Sequence, residues 1–150
     1  MTDHEHYMNL AIDLARNNPA APFGTVLVDM GRDEVVAKGL NQASSNPLLH
    51  GETDAINNYA ATKQNRWTSL RLYTTAEPCC RCMAAIIWSK IPAVIFGISI
   101  TRLKQLGWRQ FDLDAHQVVS SASFATCEIT AGVLADHCDE LFDRALRDHR

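Results

Sequence analysis

The sequence lacks an excess of positive charge and any long apolar run. Its 14 lysines and arginines are outnumbered by 17 acidic residues, which gives a formal net charge of −3 at pH 7. A strongly basic domain would indicate a nucleic-acid interface, and this balance does not. The longest uncharged apolar stretch, residues 91–100, is half the roughly 20 residues that a membrane-spanning helix needs. We therefore expect neither a membrane span nor, on charge alone, a polyanionic partner.

The sequence also has no disulfide pattern and no apolar signal region near its first residue. The five cysteines lie at positions 79, 80, 82, 127 and 138, an odd count with three crowded together. In a reducing compartment such a cluster indicates metal binding or catalysis. With 150 residues, 47% of them hydrophobic, the chain matches one domain over residues 1–150. We expect a cytoplasmic protein.

Hydrophobic periodicity predicts an alternation of helices and strands along the first two thirds of the chain. The predicted elements are a helix ending before Asn17, strands at 24–29 and 34–39, a helix from Gly51, a strand at 70–75, a helix at 80–90 and a strand at 93–98. Strands that alternate with helices favour an α/β class, with helices covering both faces of a central sheet.

The C-terminal third is less regular in pattern. Residues 101–114 are predicted as a loop or lid, because Gly107 and Trp108 interrupt the periodicity. A short strand is predicted at 117–120, and Thr130 is predicted to begin the final helix as its N-cap.

Two short motifs carry residues with metal chemistry. His50-Gly51-Glu52 and Pro78-Cys79-Cys80-Arg81-Cys82 each lie where a loop enters a predicted helix, and that helix end favours thiolate over thiol. His50, Cys79 and Cys82 supply three ligands, so tetrahedral zinc would keep a fourth position for water, as catalytic sites do. Glu52 lies two residues from the proposed histidine ligand and is the candidate proton shuttle. His50 must then lie just outside the helix, because residues two apart face different sides of it.

Each motif alone has simpler interpretations. A C-x-x-C pair also serves as a redox dithiol or as half of a closed structural zinc site. An H-x-E triplet arises often by chance, as His4-Glu5-His6 near the first residue illustrates. The combination of both motifs at helix entrances is far more specific. Two thiolates favour zinc over other divalent metals.

This combination resembles the zinc deaminases of nucleobases, whose signature is H-x-E followed by P-C-x-x-C. The similarity includes Pro22-Phe23-Gly24, Asn41 and the 72–75 strand, and covers nearly the whole chain. The chain is identified as a member of the cytidine deaminase-like superfamily, in the branch that holds cytosine deaminase, guanine deaminase and the tRNA adenosine deaminases. The resemblance implies a three-layer α/β/α sandwich around a mixed five-stranded sheet, and a homodimer or larger assembly.

The resemblance also implies the chemistry. Zinc held by His50, Cys79 and Cys82 would lower the pKa of a bound water toward neutrality. Glu52 would then carry a proton from that water to the ring nitrogen, and afterwards to the departing ammonia.

Five further residues are candidates for substrate binding. Asn41 matches an asparagine that hydrogen-bonds the substrate in related proteins, although a turn residue is the simpler interpretation. Phe23 is a candidate wall against the ring, or a core residue. Trp88 resembles a tryptophan of related guanine deaminases, and Asp112 or Asp114 would read a guanine-type amidine edge.

The substrate signals point in different directions. Residues 128–136 resemble the closing helix of tRNA adenosine deaminases, Pro22-Phe23-Gly24 resembles guanine deaminases, and the glycine of His50-Gly51-Glu52 resembles fungal cytosine deaminases. In the C-terminal segment Arg144, Arg147 and Arg150 alternate with acidic residues, and such a mixture of charges does not favour RNA binding. We therefore expect a small guanine-like or cytosine-like base or nucleoside as substrate. A tRNA adenosine deaminase, a silent zinc-binding regulator and a thiol redox protein are the alternatives.

Overall fold

The computed structural model describes residues 1–149, so the last tail arginine, Arg150, lies outside the described residues. A mixed sheet with helices on both faces forms the fold. The helices are α1 (Asp3–Ala15), α2 (Gly51–Thr62), α3 (Cys80–Trp88), α4 (Ile100–Leu106), α5 (Ala115–Ser121) and α6 (Ala135–His149), and the strands are β1 (Gly24–Asp29), β2 (Glu34–Leu40), β3 (Leu70–Ala76), β4 (Ala93–Ile98) and β5 (Glu128–Thr130).

The sheet has five strands in the order β2-β1-β3-β4-β5. Strand β1 pairs antiparallel with β2 and β3, whereas β4 pairs in parallel with β3 and β5. Both types of pairing occur in one sheet, so the prediction of a mixed five-stranded sheet is confirmed.

Side chains that alternate along the central strands supply two separate cores. Val26 and Tyr73 face one core with α1, α4 and α6, while Leu27 and Leu72 face the other with α2, α3 and α5. This alternation follows from the two-residue repeat of a β-strand. Helices therefore cover both faces, and the predicted three-layer α/β/α arrangement is confirmed.

Two predictions for the C-terminal third were wrong. The predicted strand at 117–120 is part of α5, because the Asp114 side chain accepts a hydrogen bond from the Gln117 backbone N–H (2.8 Å) and begins a helix there. Thr130 does not cap the last helix but pairs with Ile95 in the sheet, and α6 begins only at Ala135. Positive φ values at Gly132 (80°) and Leu134 (52°) turn the chain between strand and helix.

The segment predicted as a loop or lid is partly helical. Ser99 caps α4 by accepting a hydrogen bond from the Arg102 backbone N–H (3.1 Å), and Gly107 ends it with a left-handed φ of 112°. Residues 108–114 then run without regular structure to α5. Within residues 1–149, no helix combines the length and the apolar character needed to cross a bilayer.

Close packing of α2 against β2 holds the start of α2 in place, and Gly39 makes it possible. A Cβ at Gly39 would lie 2.1 Å from the Gly51 carbonyl oxygen and 2.3 Å from the Ala55 backbone nitrogen. Only a residue without a side chain fits between this strand and the helix that follows His50.

We therefore expect Gly39→Ala to lower the free energy of unfolding by about 1–3 kcal/mol, because helix and strand must separate. The measurement is thermal or denaturant unfolding at fixed zinc concentration. An unchanged melting temperature would show that α2 can move away from β2 at no cost.

Candidate active site

Two loop-to-helix junctions bring the three predicted metal ligands together. His50 is the N-cap of α2 and Cys79 the N-cap of α3, both with extended backbone, and Cys82 lies in the first turn of α3. The position of His50 just outside its helix is the one that the motif spacing predicts. Because α2 and α3 start at the same end of the sheet, the two junctions are neighbours.

The donor atoms have the spacing of a tetrahedral zinc site. His50 Nδ1 lies 3.5 Å from Cys79 Sγ and 3.6 Å from Cys82 Sγ, and all three donor atoms lie within 4.8 Å of one another. Zinc–nitrogen and zinc–sulfur bonds of about 2.0 and 2.3 Å at a tetrahedral angle separate N and S by about 3.5 Å. The residues therefore fit zinc without rearrangement. Three donors meet here, whereas a redox pair needs only the two thiols.

Within the cluster one sulfur atom, that of Cys79, favours the deprotonated form that binds metal. Hydrogen bonds from Cys82 and His50 lower the pKa of the Cys79 thiol to about 4, against the opposing effect of burial. The interaction with the Cys79 thiolate raises the pKa of Cys82, and it also raises the pKa of His50.

Glu52 lies behind the ligands, in the first turn of α2, and its carboxyl group is buried. The residue is 3% exposed, and its Oε1 accepts a hydrogen bond from Thr74 Oγ1 (2.8 Å), which in turn accepts one from Thr25 Oγ1 (3.1 Å). Burial raises the pKa of Glu52, and the Thr74 hydrogen bond opposes this shift. A carboxyl group with a raised pKa, held at a fixed angle, is suited to accept and return a proton near neutral pH.

A cavity of about 760 Å³ opens beside the cluster, with His50 and Cys79 in its wall. Its apolar surface includes Leu48, which is 63% exposed, and Phe111, which is 67% exposed. Its polar lining includes Arg81, Arg109 and Gln110. The cavity volume falls in the range of small-molecule sites.

Glu77, directly before Pro78 and Cys79, links the metal loop to two helices. Its Oε1 accepts from the Ile100 backbone N–H (2.9 Å) at the start of α4, and its Oε2 accepts from the Ala115 backbone N–H (2.7 Å) at the start of α5. The carboxyl group is buried, with 7% of the residue exposed. These helices flank residues 107–114, which supply Arg109, Gln110 and Phe111 to the cavity.

We expect Glu77→Ala to lower the free energy of unfolding by about 2–4 kcal/mol, because two buried backbone N–H groups lose a charged acceptor. Glu77→Gln should lose about half as much, since one carbonyl oxygen remains. Chemical unfolding measures both, with the exposed Glu34→Ala as control. Equal stability of Glu77→Ala and wild type would show that the two hydrogen bonds from Glu77 to the starts of α4 and α5 do not stabilise the fold.

The structure does not place the predicted substrate residues in the lining of this cavity. Phe23 packs edge-on against Trp108 and Phe142, with ring centroids 5.3 and 4.7 Å away. The Asn41 side-chain oxygen accepts a hydrogen bond from the Ala43 backbone N–H (2.9 Å), which is turn geometry. Both residues have the simpler contacts that the sequence allowed, and their substrate roles stay predictions.

Trp88 and the two aspartates also have other surroundings. Trp88 ends α3 at the opposite end from the cysteines, is 72% exposed and stacks on Phe124. Asp112 is exposed and pairs with Lys104, and Asp114 caps α5. Within residues 1–149 these three side chains therefore do not meet the metal cluster.

The structure adds residues that sequence reasoning missed. Thr74 lies in the 72–75 strand, which the family resemblance includes without giving Thr74 a role, and Arg109 lies in residues 101–114, where the hydrophobic pattern is irregular. Arg81 stands between two predicted ligands, a position that itself indicates nearness to the metal.

Comparison with known proteins identifies the family. The model of the cytidine and deoxycytidylate deaminase zinc-binding region matches residues 1–98, which include every proposed metal ligand and Glu52. The chain belongs to this deaminase family. It is accordingly a zinc-dependent aminohydrolase.

Individual relatives of this deaminase differ in substrate. The tRNA-specific adenosine deaminase of Haemophilus influenzae is 35% identical over 142 residues, which is 91% of this chain and 79% of that protein. The guanine deaminase of Bacillus subtilis is 31% identical over 113 residues, 71% of each chain. A solved guanine deaminase from Nitrosomonas europaea superposes with a TM-score of 0.83 at 20% identity, covering 97% of this chain and 85% of that one. That structural similarity shows the deaminase fold, and the relatives leave the substrate open.

Proposed function

We propose that this deaminase removes the exocyclic amino group of a guanine-like or cytosine-like ring, taken as a free base or nucleoside. The observation that carries the proposal is Glu52, a buried carboxyl group with a raised pKa that interacts electrostatically with the ligands Cys79 and His50. Those two ligands line the cavity. A site that only held zinc would have no use for that carboxyl group.

Different residues of the site bind the metal and transfer protons. His50, Cys79 and Cys82 hold zinc, which when bound supplies Lewis acidity and lowers the pKa of water. Glu52 takes a proton from the attacking water and delivers it to the ring nitrogen. The hydroxide so formed adds to the amino-bearing carbon. Glu52, unprotonated again, takes the remaining proton from the added hydroxyl group and passes it to the amino nitrogen, so that the carbonyl forms while the carbon–nitrogen bond breaks and ammonia leaves. Thr74 keeps the carboxyl group oriented through these transfers.

A small substrate is supported by the charge balance and by one group of relatives. The formal net charge is −3, whereas a polyanion is usually held by many lysine or arginine contacts. The guanine deaminase of Bacillus subtilis matches both motif regions at 31% identity.

The second candidate is adenosine deamination in a tRNA. It is favoured by the Haemophilus influenzae relative, which has higher identity and covers more of this chain. Leu48 and Phe111 in the cavity lining are exposed, which is compatible with a base presented on a larger molecule.

The test is ammonia release by zinc-loaded protein from a panel of guanine, cytosine, isocytosine, adenine, their nucleosides and a tRNA anticodon stem-loop. Glu52→Ala serves as the blank. Release from a small base or nucleoside supports the proposal and identifies the ring. Release from the stem-loop alone would replace it with the tRNA candidate, and no release from any of them would contradict both.

We further propose that the enzyme is a cytoplasmic homodimer with one domain over residues 1–150. The resemblance to dimeric superfamily members supports this assembly. Light scattering after gel filtration at micromolar concentration tests it, and a monomeric mass would contradict it.

A further inference from the structure

A chain of two threonine hydroxyl groups ends on the carboxyl group of Glu52. Thr25 on β1 and Thr74 on β3 lie directly opposite each other in an antiparallel pair of strands, and both residues are buried. Thr74 Oγ1 lies 2.8 Å from Glu52 Oε1, and Thr25 Oγ1 lies 3.1 Å from Thr74 Oγ1. Thr74 alone reaches the carboxyl group, so the hydroxyl group of Thr25 needs an explanation of its own.

Close packing holds the start of α2 against this part of β1. A Cβ at Gly51 would lie 2.7 Å from the Phe23 carbonyl oxygen and 3.1 Å from Thr25 Oγ1. Because Gly51 has no side chain, the first turn of α2 can lie directly on β1. Glu52 is the next residue, and this contact places its carboxyl group within reach of the threonine pair.

The direction of each hydrogen bond follows from the number of protons available. A hydroxyl group has one proton to donate, whereas an ionised carboxyl group can only accept. Thr74 must therefore give its proton to Glu52 Oε1, and the proton between the two hydroxyl groups must come from Thr25. Neither hydroxyl group has another hydrogen-bond partner within residues 1–149.

A proton placed on Glu52 Oε1 would reverse this chain. Thr74 would then accept from Glu52 and donate to Thr25, whose own proton would lose its acceptor. A buried donor without an acceptor is costly, and native proteins rarely contain one. Thr25 therefore keeps Oε1 in the role of acceptor. The other oxygen, Oε2, accepts no hydrogen bond from another residue in the part of the chain that the structure describes.

We propose that Thr25 is a positioning residue for the deamination. Acting through Thr74, it holds Glu52 Oε1 as a hydrogen-bond acceptor, so that Oε2 is the oxygen that takes up the proton and returns it. This inference rests on the proposed function, in which Glu52 carries the proton. It holds for any of the candidate rings, because each of them needs the same proton transfers.

A purely structural role for the threonine pair is the competing explanation. Facing threonines on paired strands stabilise a sheet whatever lies above them. That role predicts that a side chain of the same shape without a hydroxyl group leaves catalysis unchanged. Valine has this shape, so Thr25→Val removes the donor, keeps the packing volume and separates the two explanations.

The test measures ammonia release in a single turnover, with zinc-loaded protein in excess over the substrate identified by the panel. We expect Thr25→Val to slow release about three- to tenfold, because one hydrogen bond of the chain is lost. The KM from steady-state assays and the zinc content should not change. Thr25→Ser keeps the hydroxyl group and should recover most of the rate.

Thr75→Val is the matched control. It removes the neighbouring buried hydroxyl group on β3, which donates to the Pro22 carbonyl oxygen (2.9 Å) and does not belong to the chain that ends on Glu52. We expect the wild-type rate from this variant below its melting temperature, even where its stability is lower.

The sharpest measurement combines two substitutions. Thr74→Val alone should slow release about tenfold or more, because the hydrogen bond to the carboxyl group is lost. Since Thr25 acts only through Thr74, adding Thr25→Val to Thr74→Val should cause no further slowing. Losses that multiply in the double variant would overturn the inference, because Thr25 would then act by a separate route.

The remaining outcomes are equally decisive. A wild-type rate in Thr25→Val, a rate in Thr25→Ser as low as in Thr25→Val, or loss of zinc from Thr25→Val would each overturn the inference. If Glu52→Gln is inactive while Thr25→Val has the wild-type rate, the positioning role fails and the proposed function stands. If Glu52→Gln is as active as the wild type, Glu52 does not carry the proton, and both fail.

Discussion

Replacing Glu52 by glutamine is expected to slow ammonia release about a thousandfold while zinc stays bound. Glutamine keeps the side-chain volume and an oxygen for the Thr74 hydroxyl, but it cannot take up a proton. The loss therefore isolates proton transfer from packing. Steady-state kinetics on the substrate found in the panel give the rate, and elemental analysis gives the zinc content.

Asp54→Asn is the matched control, because Asp54 follows on the same helix and accepts a hydrogen bond from the Leu40 backbone N–H (3.0 Å). Asparagine makes the same change of charge and keeps an acceptor oxygen. We expect nearly wild-type rates from it. Loss of zinc from Glu52→Gln, or activity close to wild type, would show that Glu52 is not the proton carrier.

Replacing Cys82 by serine is expected to abolish tight zinc binding, and with it all ammonia release. A serine hydroxyl is a poor replacement for a thiolate, so only two good donors remain, His50 Nδ1 and Cys79 Sγ. Zinc present at a hundred times its dissociation constant should stabilise the wild type by about 2.7 kcal/mol. The variant should show almost none of this increase in thermal or chemical unfolding.

Cys80→Ser provides a sharp control, since Cys80 lies between the ligands in sequence but outside the cluster of donors. It should bind zinc, gain stability and release ammonia like the wild type. Equal loss of zinc in both serine variants would show that the assignment of donors within Pro78-Cys79-Cys80-Arg81-Cys82 is wrong.

Local patterns were enough to predict much of the fold and the metal ligands. Short continuous apolar runs within 24–29 and 93–98 predict buried strands, because a central strand is covered by helices on both of its faces. The spacing of His50 and Glu52 requires His50 to be an N-cap, as the structure has it. Where local pattern was weak, as at 117–120, prediction was wrong, because a capping contact outweighed a short β-like run.

The substrate contacts illustrate the limit of motif resemblance. Trp88 is a predicted substrate residue because it resembles a tryptophan of guanine deaminases, yet the nine residues of α3 place it at the far end of the helix from the metal ligands. Asp114 is the N-cap of α5, and this capping role accounts for an acidic residue at that position without a substrate contact. Resemblance indicates which segments of the chain lie near an active site. Whether a given side chain points into the cavity depends on the helices and strands that pack around it.

The sequence by itself determined the chemistry: one imidazole, two thiols and one carboxyl group at two helix entrances, in a chain patterned as α/β. Such features depend on residues only a few positions apart in the sequence, and they can therefore be predicted from the sequence alone. Only the tertiary structure decided what surrounds them. Hydrogen bonds join the Thr74 hydroxyl to Glu52 and Glu77 to the starts of two helices, in each case across about 20 or more positions of the chain. Arg81 and Arg109, also far apart in sequence, line one cavity. Packing of the sheet and helices sets those contacts, and no local pattern encodes them.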